Sequence, residues 1–414
     1  MRFPFEVRRS QNGRLKAETR IASGSALLGS EAVPIALALS LGPAVSNGLA
    51  RFAYALILPA MRADLNWTYT QAGWMNTANA LGYLCGAFAA FRLIGRVEAK
   101  TLFNHGMWLT AAALILSGLT ARFADLLALR FIAGLTGAMV FICGSILVVH
   151  VVTHDAKRST AAIALYFAGG GLGILASGIT LPWLFALWGN QAWSHAWVGM
   201  GVASFAACAL TTRATKAIAA GSEKSAPAAW RKRPFLPLMA AYFLFALGYI
   251  AYMTFIVAWM RDHGGSAGQV ALVWGVLGLA TILSPWPWRR ALSSWRGGKA
   301  MAATLAVVAL GAALPLVQTS LPMMICSALL FGGAFFIPPA VGTAVFKKGL
   351  PPAAWGKAVA GFTLVFAAGQ TIGPVVTGAL SDATGSLFAG LALSVAILVG
   401  GALVALMQKD VRLG

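Results

Sequence analysis

Long apolar runs alternate with short polar segments along most of the chain, and twelve of them reach the length of a membrane-spanning helix, about 20 residues. Six runs lie near residues 33–61, 70–91, 101–120, 125–149, 160–188 and 196–214. Six more lie near residues 237–260, 268–288, 299–317, 321–346, 357–381 and 386–407. The runs are rich in Ala, Leu and Gly, as packed membrane helices are. We therefore predict an all-α membrane protein with twelve transmembrane helices, called spans one to twelve below.

The polar segments divide the chain into five parts. Residues 1–32 are predicted to be a disordered basic tail, and residues 215–236 a linker that is too short to fold as a domain. Residues 33–214 and 237–407 are the two predicted six-helix bundles, and residues 408–414 form a short C-terminal tail.

The two sets of six spans resemble each other at an offset of 200 residues. Gly169 and Gly173 in span five coincide with Gly369 and Gly373 in span eleven. Glycines at this spacing allow helices to approach closely, so we predict close helix contacts at all four positions. The repeat predicts two bundles related by a pseudo-two-fold axis, an architecture of transporters that bind solute between their halves near the bilayer midplane.

Charge placement predicts the orientation. Apolar residues make up 59% of the chain and charged residues only 10%, against about a quarter charged in soluble domains. The net charge of +20 lies in short clusters between apolar runs, which argues against nucleic-acid binding. Of the 31 Lys and Arg residues, 26 fall on the side of both termini and three in the opposite loops. Because basic segments stay in the cytoplasm, we predict a multi-pass protein of the bacterial inner membrane with both termini and the linker inside.

Arg51 is the sharpest functional signal. It lies about ten residues from the outer end of span one, which places it roughly 15 Å deep in the bilayer. A charge there costs about 2.5–3.5 kcal/mol on insertion scales. We predict that Arg51 lines a water-filled path and binds an anionic group, together with its neighbours Asn47 and Tyr54. A structural role, capping backbone carbonyls of a neighbouring helix, is the alternative.

A second arginine, Arg130, opens span four five positions after Asp125. The sequence leaves three roles open for it, namely pairing with Asp125, gating or coupling, and ligand contact.

Further polar side chains lie within the spans. Because unpaired amides in lipid cost several kcal/mol, they must face protein or water. They line a cavity or make interhelical hydrogen bonds, and the pattern leaves both options open. As candidate substrate-binding residues we add Asn76, Asn79, Tyr83, Tyr249, Tyr252 and Gln370.

Missing features exclude other classes of protein. None of the eleven acidic residues lies in the middle third of a predicted span, where proton-coupled carriers usually place one. The sequence holds no catalytic triad, zinc-ligand spacing or phosphate-binding loop. We therefore predict no enzymatic activity, no metal and no cofactor. The expected partners are a small-molecule substrate and the lipid bilayer, and the protein is expected to be a monomer.

Three motifs resemble those of the YbfB/YjiJ-type branch of the major facilitator superfamily. They are Gly48-Leu-Ala-Arg51-Phe-Ala-Tyr54, the segment from Ala72-Gly73 to Gly82-Tyr83-Leu84, and Gly369-Gln370-Thr-Ile-Gly373-Pro374. The resemblance implies the twelve-helix, two-bundle fold and transport by alternating access, but names no substrate.

Arg130 with Gly134 resembles the span-four signature associated with proton coupling, which makes protons a candidate coupling ion. The loop after span two lacks the Asp of the superfamily signature, and Ile174 replaces the proline of the span-five antiporter signature. We expect a secondary or facilitative transporter of a small polar, anionic organic solute. The alternatives are an efflux antiporter for metabolites or drugs, and a transporter-like sensor without flux.

Overall fold

The computed structural model describes residues 32–94, 96–151, 156–218 and 232–411, and nearly all of them are helical. Most of the predicted N-terminal tail and linker, and the end of the C-terminal tail, lie outside these residues. In chain order the α-helices are α1 (Ala32–Pro43), α2 (Tyr54–Asp64), α3 (Tyr69–Leu93), α4 (Ala99–Ser117), α5 (Phe123–Val151), α6 (Ala156–Trp188), α7 (Trp193–Lys216), α8 (Leu236–Asp262), α9 (Ala267–Leu283), α10 (Pro285–Ser294), α11 (Lys299–Val317), α12 (Leu321–Gly332), α13 (Pro338–Gly349), α14 (Pro352–Thr384) and α15 (Leu387–Leu406).

Helices cover all twelve predicted runs, but fewer of them qualify as spans by length and composition. Within the described residues, eight helical segments are long and apolar enough to cross a membrane. They are Val33–Asp64, Phe123–Val149, Ala162–Trp188, Arg233–Asp262, Ala267–Ser294, Lys299–Val317, Lys357–Thr384 and Leu387–Leu406. Helices α3, α4 and α7 are not among them, nor are α12 and α13, which divide span ten.

Three predicted spans are interrupted. Span eight divides into α9 and α10 at Ser284. Span ten breaks into α12 and α13 at a turn that begins at Gly333. Span one consists of α1, a π-helical segment over Ala44–Phe52 and α2. At the end of that segment the backbone N–H of Ala53 donates to the carbonyl of Gly48 over 2.9 Å, five residues back. Short π-helical turns inside α-helices are frequent at functional sites, and this one carries Arg51.

Helix α3 packs closely against α5 through glycines. A Cβ atom at Gly82 would clash with the carbonyl group of Phe131, and one at Gly134 with that of Asn79. Backbones at this separation leave no room for any side chain, which explains why glycine occupies both positions.

Two helix pairs join the first set of spans to the second. Helix α3 packs against α14, and α6 packs against α9. At the 200-residue offset, α3 corresponds to α9 and α6 corresponds to α14. The contact of α3 with α14 is therefore the repeat equivalent of the contact of α9 with α6. A smaller contact joins α2 to α8.

Candidate functional site

Arg51 occupies the end of the π-helical segment. The residue is only 5% exposed, and in the part of the chain that the structure describes no hydrogen bond or ion pair joins its guanidinium to another side chain or carbonyl. Its guanidinium carbon lies 5.0 Å from the centroid of the Tyr83 ring and 5.8 Å from that of Phe52. Aromatic ring faces attract a cation. They do not accept the hydrogen bonds of the guanidinium or neutralise its charge.

Arg130, in contrast, is fully partnered by protein. It is 1% exposed and donates to the carbonyl groups of Ala50 and Met75 and, over 3.3 Å, to Oδ1 of Asn76. The guanidinium also lies 5.1 Å from the centroid of the Tyr54 ring. Arg130 thus ties α5 to the π-helical segment and to α3.

Asp125 does not pair with Arg130 in the structure, although the sequence left this open as one of three roles for the arginine. Asp125 accepts a hydrogen bond from the hydroxyl of Thr120 over 3.1 Å and lies 3.7 Å from the Arg122 guanidinium. It is partly exposed near the start of α5, whereas Arg130 is buried five residues further along that helix. The carbonyl groups and amide around Arg130 take the place of a carboxylate.

The structure uses the amides of α3 for interhelical hydrogen bonds. Nδ2 of Asn76 donates to the Thr254 hydroxyl on α8 over 2.7 Å, and Nδ2 of Asn79 donates to the carbonyl of Arg130 over 3.1 Å. The hydroxyl of Tyr54 likewise donates to the carbonyl of Ala72 over 2.9 Å. Of the two options left open by the sequence, interhelical bonding therefore holds for Asn76 and Asn79.

Four of the other candidates lie near Arg51 or along its helix. Tyr83 places its ring beneath the guanidinium, and Asn47 is buried about one turn earlier on the π-helical segment. Tyr249 reaches this region through Phe335, whose ring stacks on Tyr249 at 6.0 Å and meets the Phe52 ring edge to face at 5.9 Å. The Tyr249 hydroxyl donates to Oε1 of Gln370 over 3.0 Å, while the buried Nε2 of Gln370 has no partner.

Tyr252 belongs to a different environment. Its hydroxyl shares a 2.7 Å hydrogen bond with Ser327, whose own hydroxyl donates to the carbonyl of Gly311. Its ring stacks on Phe331 with a centroid separation of 4.0 Å. These contacts lie among α8, α11 and α12, so Tyr252 supports the packing of the second set of spans.

The sequence analysis missed a polar network at the start of α3. This end of the helix is predicted to face outward. The backbone N–H groups of Tyr69 and Thr70 each donate to the carboxylate of Asp382 over 2.8 Å, and the Thr70 hydroxyl donates to it as well. The Tyr69 hydroxyl donates to the carboxylate of Asp262. The Arg62 guanidinium carbon lies 3.8 Å from the centroid of the Tyr69 ring. We call these five residues the Tyr69 network.

The Tyr69 network joins the two sets of spans, because α2 and the start of α3 meet the ends of α8 and α14 there. Burial, followed by the hydrogen bond to Asp262, raises the pKa of the Tyr69 hydroxyl, so this group remains a neutral donor. Close by, a small cavity of ≈ 30 Å³ is lined by residues of both sets, among them Ala60 and Val257.

The four repeated glycines lie at close helix contacts. A Cβ atom at Gly169 or Gly173 would clash with the backbone of the first span, and Gly173 lies against the carbonyl group of Ala44. At Gly369 it would approach the carbonyl oxygen of Phe243 to 2.6 Å, and at Gly373 that of Leu247 to 2.5 Å. Span five therefore packs on span one through its glycines, as span eleven packs on span seven.

The arrangement offers an unmatched buried cation and an unpaired amide, but few groups for chemistry. Among the residues that the structure describes, no three His, Cys, Asp or Glu side chains come together as metal ligands. Nothing described beside Arg51 and Gln370 supplies a nucleophile paired with a base.

Residues 43–406 match the family described as uncharacterised MFS-type transporter YbfB. The chain belongs to this family. It is a multi-pass membrane protein of this family of major facilitator transporters, as the motifs around Arg51 and Gln370 indicated. A curated relative, the uncharacterized MFS-type transporter YceJ of Bacillus subtilis (strain 168), is 27% identical over 251 residues. That alignment spans 57% of this chain and 61% of the relative's length.

Solved transporters share the fold. A bacterial homologue of the human lysosomal transporter Spinster, in an inward-facing and occupied conformation, aligns with a TM-score of 0.68 at 16% identity, over 91% of this chain and 96% of its own. A variant of the nucleoside transporter NupG aligns with a TM-score of 0.70 at 12% identity, over 90% and 99%. At these identities the likeness concerns the fold alone.

Proposed function

We propose that this transporter moves a small, anionic organic solute across the bacterial inner membrane by alternating access, and that Arg51 binds the anionic group. The observation that carries the proposal is the state of Arg51, which is buried and has no hydrogen-bonded or ionic partner among the described residues. A cation held at this depth is costly. A carboxylate or phosphate on the solute supplies the missing charge and accepts the donors of the guanidinium fork.

The comparison between the two arginines supports this role. Arg130 is equally buried, yet protein carbonyls and Asn76 accept its hydrogen bonds. A structural arginine in this protein is therefore provided with acceptors by its own chain. Arg51 is not, although it lies only one residue from Ala50, whose carbonyl Arg130 uses.

Alternating access requires two bodies that move against each other. We assign these to residues 33–214 and 237–407, in twelve spans, with the termini and linker in the cytoplasm. The exchange of the α3–α14 and α6–α9 contacts by the 200-residue offset favours this division. Side-chain and backbone contacts between α3 and α14 join residues 69–77 to residues 371–382, at the ends predicted to face outward. These contacts hold the two sets of spans together at that end.

Transport and binding by Arg51 can be tested together in two steps. A thermal-shift screen of organic acids on the purified full chain identifies binders, and their flux is then measured in proteoliposomes. We expect Arg51→Ala to weaken binding of an acid by about 2–5 kcal/mol, the usual result of breaking a buried charge pair. Arg51→Lys should recover only part of the loss, because an ammonium lacks the planar fork.

Arg122→Ala is the matched control, since Arg122 is exposed and pairs only with nearby Asp125. Unchanged binding and flux in a folded Arg51→Ala variant would contradict the anion site. Loss of the folded protein in Arg51→Ala and Arg51→Lys alike would favour a structural role. Binding without flux for every acid would favour a sensor instead of a transporter.

A further inference from the structure

Stacked aromatic rings cover one side of the second set of spans close to Arg51. Tyr242 on α8 stacks on Phe362 of α14 with a centroid separation of 3.8 Å and an interplanar angle of 7°. Tyr249 stacks against Phe366 at 5.7 Å and 12°, and against Phe335 at 6.0 Å and 25°. We call these five residues the aromatic wall.

The aromatic wall reaches the residue next to Arg51. Phe52 meets Phe335 edge to face, with centroids 5.9 Å apart and planes at 83°. It also packs against Phe336 at 6.1 Å. The guanidinium carbon of Arg51, in turn, lies 5.8 Å from the centroid of the Phe52 ring. The buried cation of the first set of spans therefore lies beside stacked π-surfaces of the second.

Part of this aromatic surface is open. Phe366 and Phe336 are half-buried, whereas Tyr249 and Phe335 are covered. Phe366, which also stacks with Tyr242 at 4.8 Å and 16°, is the one ring of the aromatic wall that keeps part of its surface exposed. Offset stacking favours flat aromatic partners over saturated ones because of the ring quadrupole.

A buried hydrogen-bonding group without a partner adjoins the wall. Gln370 follows Phe366 by one turn of α14 and is 0% exposed. Its Oε1 accepts from Tyr249, but its Nε2 has no acceptor. Unpaired buried donors are rare in folded proteins, and each calls for an explanation. An acceptor carried by a solute in this position would satisfy it.

We propose that the transported solute is a planar aromatic carboxylate. Its carboxylate binds Arg51, its ring lies against Phe366, and an acceptor on the ring binds Nε2 of Gln370. This proposal rests on the proposed function, because it keeps Arg51 as the anion site and adds the class of the organic part. Such a solute contacts both sets of spans at once, as alternating access requires of a central ligand.

Four small probes separate the two parts of the proposal. Benzoate and 2-naphthoate are aromatic acids, cyclohexanecarboxylate is a saturated acid of similar size, and benzamide is a neutral aromatic. Binding of each to the purified full chain is measured by titration at millimolar concentrations. We expect both aromatic acids to bind at least several-fold more tightly than cyclohexanecarboxylate and benzamide, given the usual strength of one aromatic contact.

Each other outcome identifies what has failed. Equal binding of cyclohexanecarboxylate overturns the aromatic class and leaves Arg51 as an anion site. Equal binding of benzamide contradicts the anion site, and with it the proposed function. Binding of no probe overturns the aromatic class, while the acid screen still tests the proposed function separately.

Variants of the wall provide an independent readout. Phe366→Leu should reduce the preference for benzoate over cyclohexanecarboxylate by about three- to tenfold, while Phe366→Tyr should keep it. Phe91→Leu is the control, because Phe91 is exposed on α3 and outside the wall. Arg51→Lys should weaken all the acids alike without changing the preference. An unchanged preference in a folded Phe366→Leu variant would overturn the placement of the ring.

Discussion

The side-chain amide of Asn76 bridges Arg130 and Thr254. Its Oδ1 accepts from the Arg130 guanidinium over 3.3 Å, and its Nδ2 donates to the Thr254 hydroxyl over 2.7 Å. Arg130 belongs to the first set of spans and Thr254 to the second. Arg130 holds α5, α3 and the first span together. The buried amide of Asn76 connects this arginine to the second set of spans.

We expect Asn76→Ala to lower the free energy of unfolding by about 1 kcal/mol, since polar contacts between membrane helices contribute about that much or less. A double-mutant cycle with Thr254→Val, measured by denaturant titration in detergent micelles, should give a coupling energy of about 0.6–1.7 kcal/mol. Thr180→Val is the control, because the Thr180 hydroxyl bonds only to carbonyls of its own helix. Strictly additive effects at positions 76 and 254 would contradict the link.

Asp382 holds the start of α3 against the end of α14, so its removal should favour opening at that end. With the native cysteines replaced, Ala60→Cys provides a label site in the small cavity beside the Tyr69 network. We expect Asp382→Ala to raise the rate of labelling by an impermeant maleimide several-fold. The free energy of opening at that end should fall by only about 1 kcal/mol, because the Asp382 carboxylate is solvent-exposed and its hydrogen bonds are screened.

Asp125→Asn is the matched control for this experiment, since Asp125 bonds only to residues of its own set of spans. If Asp382→Ala labels at the control rate, the Tyr69 network does not restrain opening.

The repeated glycines permit a paired test of packing. We expect Gly173→Leu and Gly373→Leu to reduce the yield of monodisperse protein strongly, because a side chain would meet the backbone of the first or seventh span. Gly199→Leu and Gly400→Leu are controls, since a Cβ atom at either position meets nothing within 4 Å. Size-exclusion chromatography of the detergent extract provides the readout. Normal profiles for both test variants would contradict the packing role.

The predicted orientation can be measured without the structure. A reporter fused after residue 224, in the predicted linker, should be active as a cytoplasmic reporter, because 26 of the 31 basic residues lie on that side. A reporter active only in the periplasm at this position would reverse the orientation, and the Tyr69 network would then face the cytoplasm.

Hydropathy was sufficient to locate the helices, because a bilayer requires long apolar segments whatever the fold. The internal repeat also located Gly173 and Gly373, since close backbone contact admits only the smallest residues. Both signals are local or periodic, and the sequence displays them directly.

The partners of polar groups were less predictable. Nothing near Arg130 in the sequence indicates that the carbonyls of Ala50 and Met75 accept its hydrogen bonds, because any residue can supply a backbone acceptor. Asp382 lies at the end of an apolar run, where a carboxylate is ordinary, and its partners are more than 300 residues away. Such contacts depend on how the helices meet, which no single span reveals.

The π winding of Ala44–Phe52 alters the angular phase of the first span. Over nine residues, winding at about 4.4 instead of 3.6 residues per turn delays the rotation by roughly half a turn. A helical wheel drawn at 100° per residue from α1 would therefore project Arg51 onto nearly the opposite side of the helix. Deleting one residue within the segment would change that phase for everything that follows. The azimuth of the guanidinium is consequently a property of the hydrogen-bond register of nine residues, and not of position 51 alone.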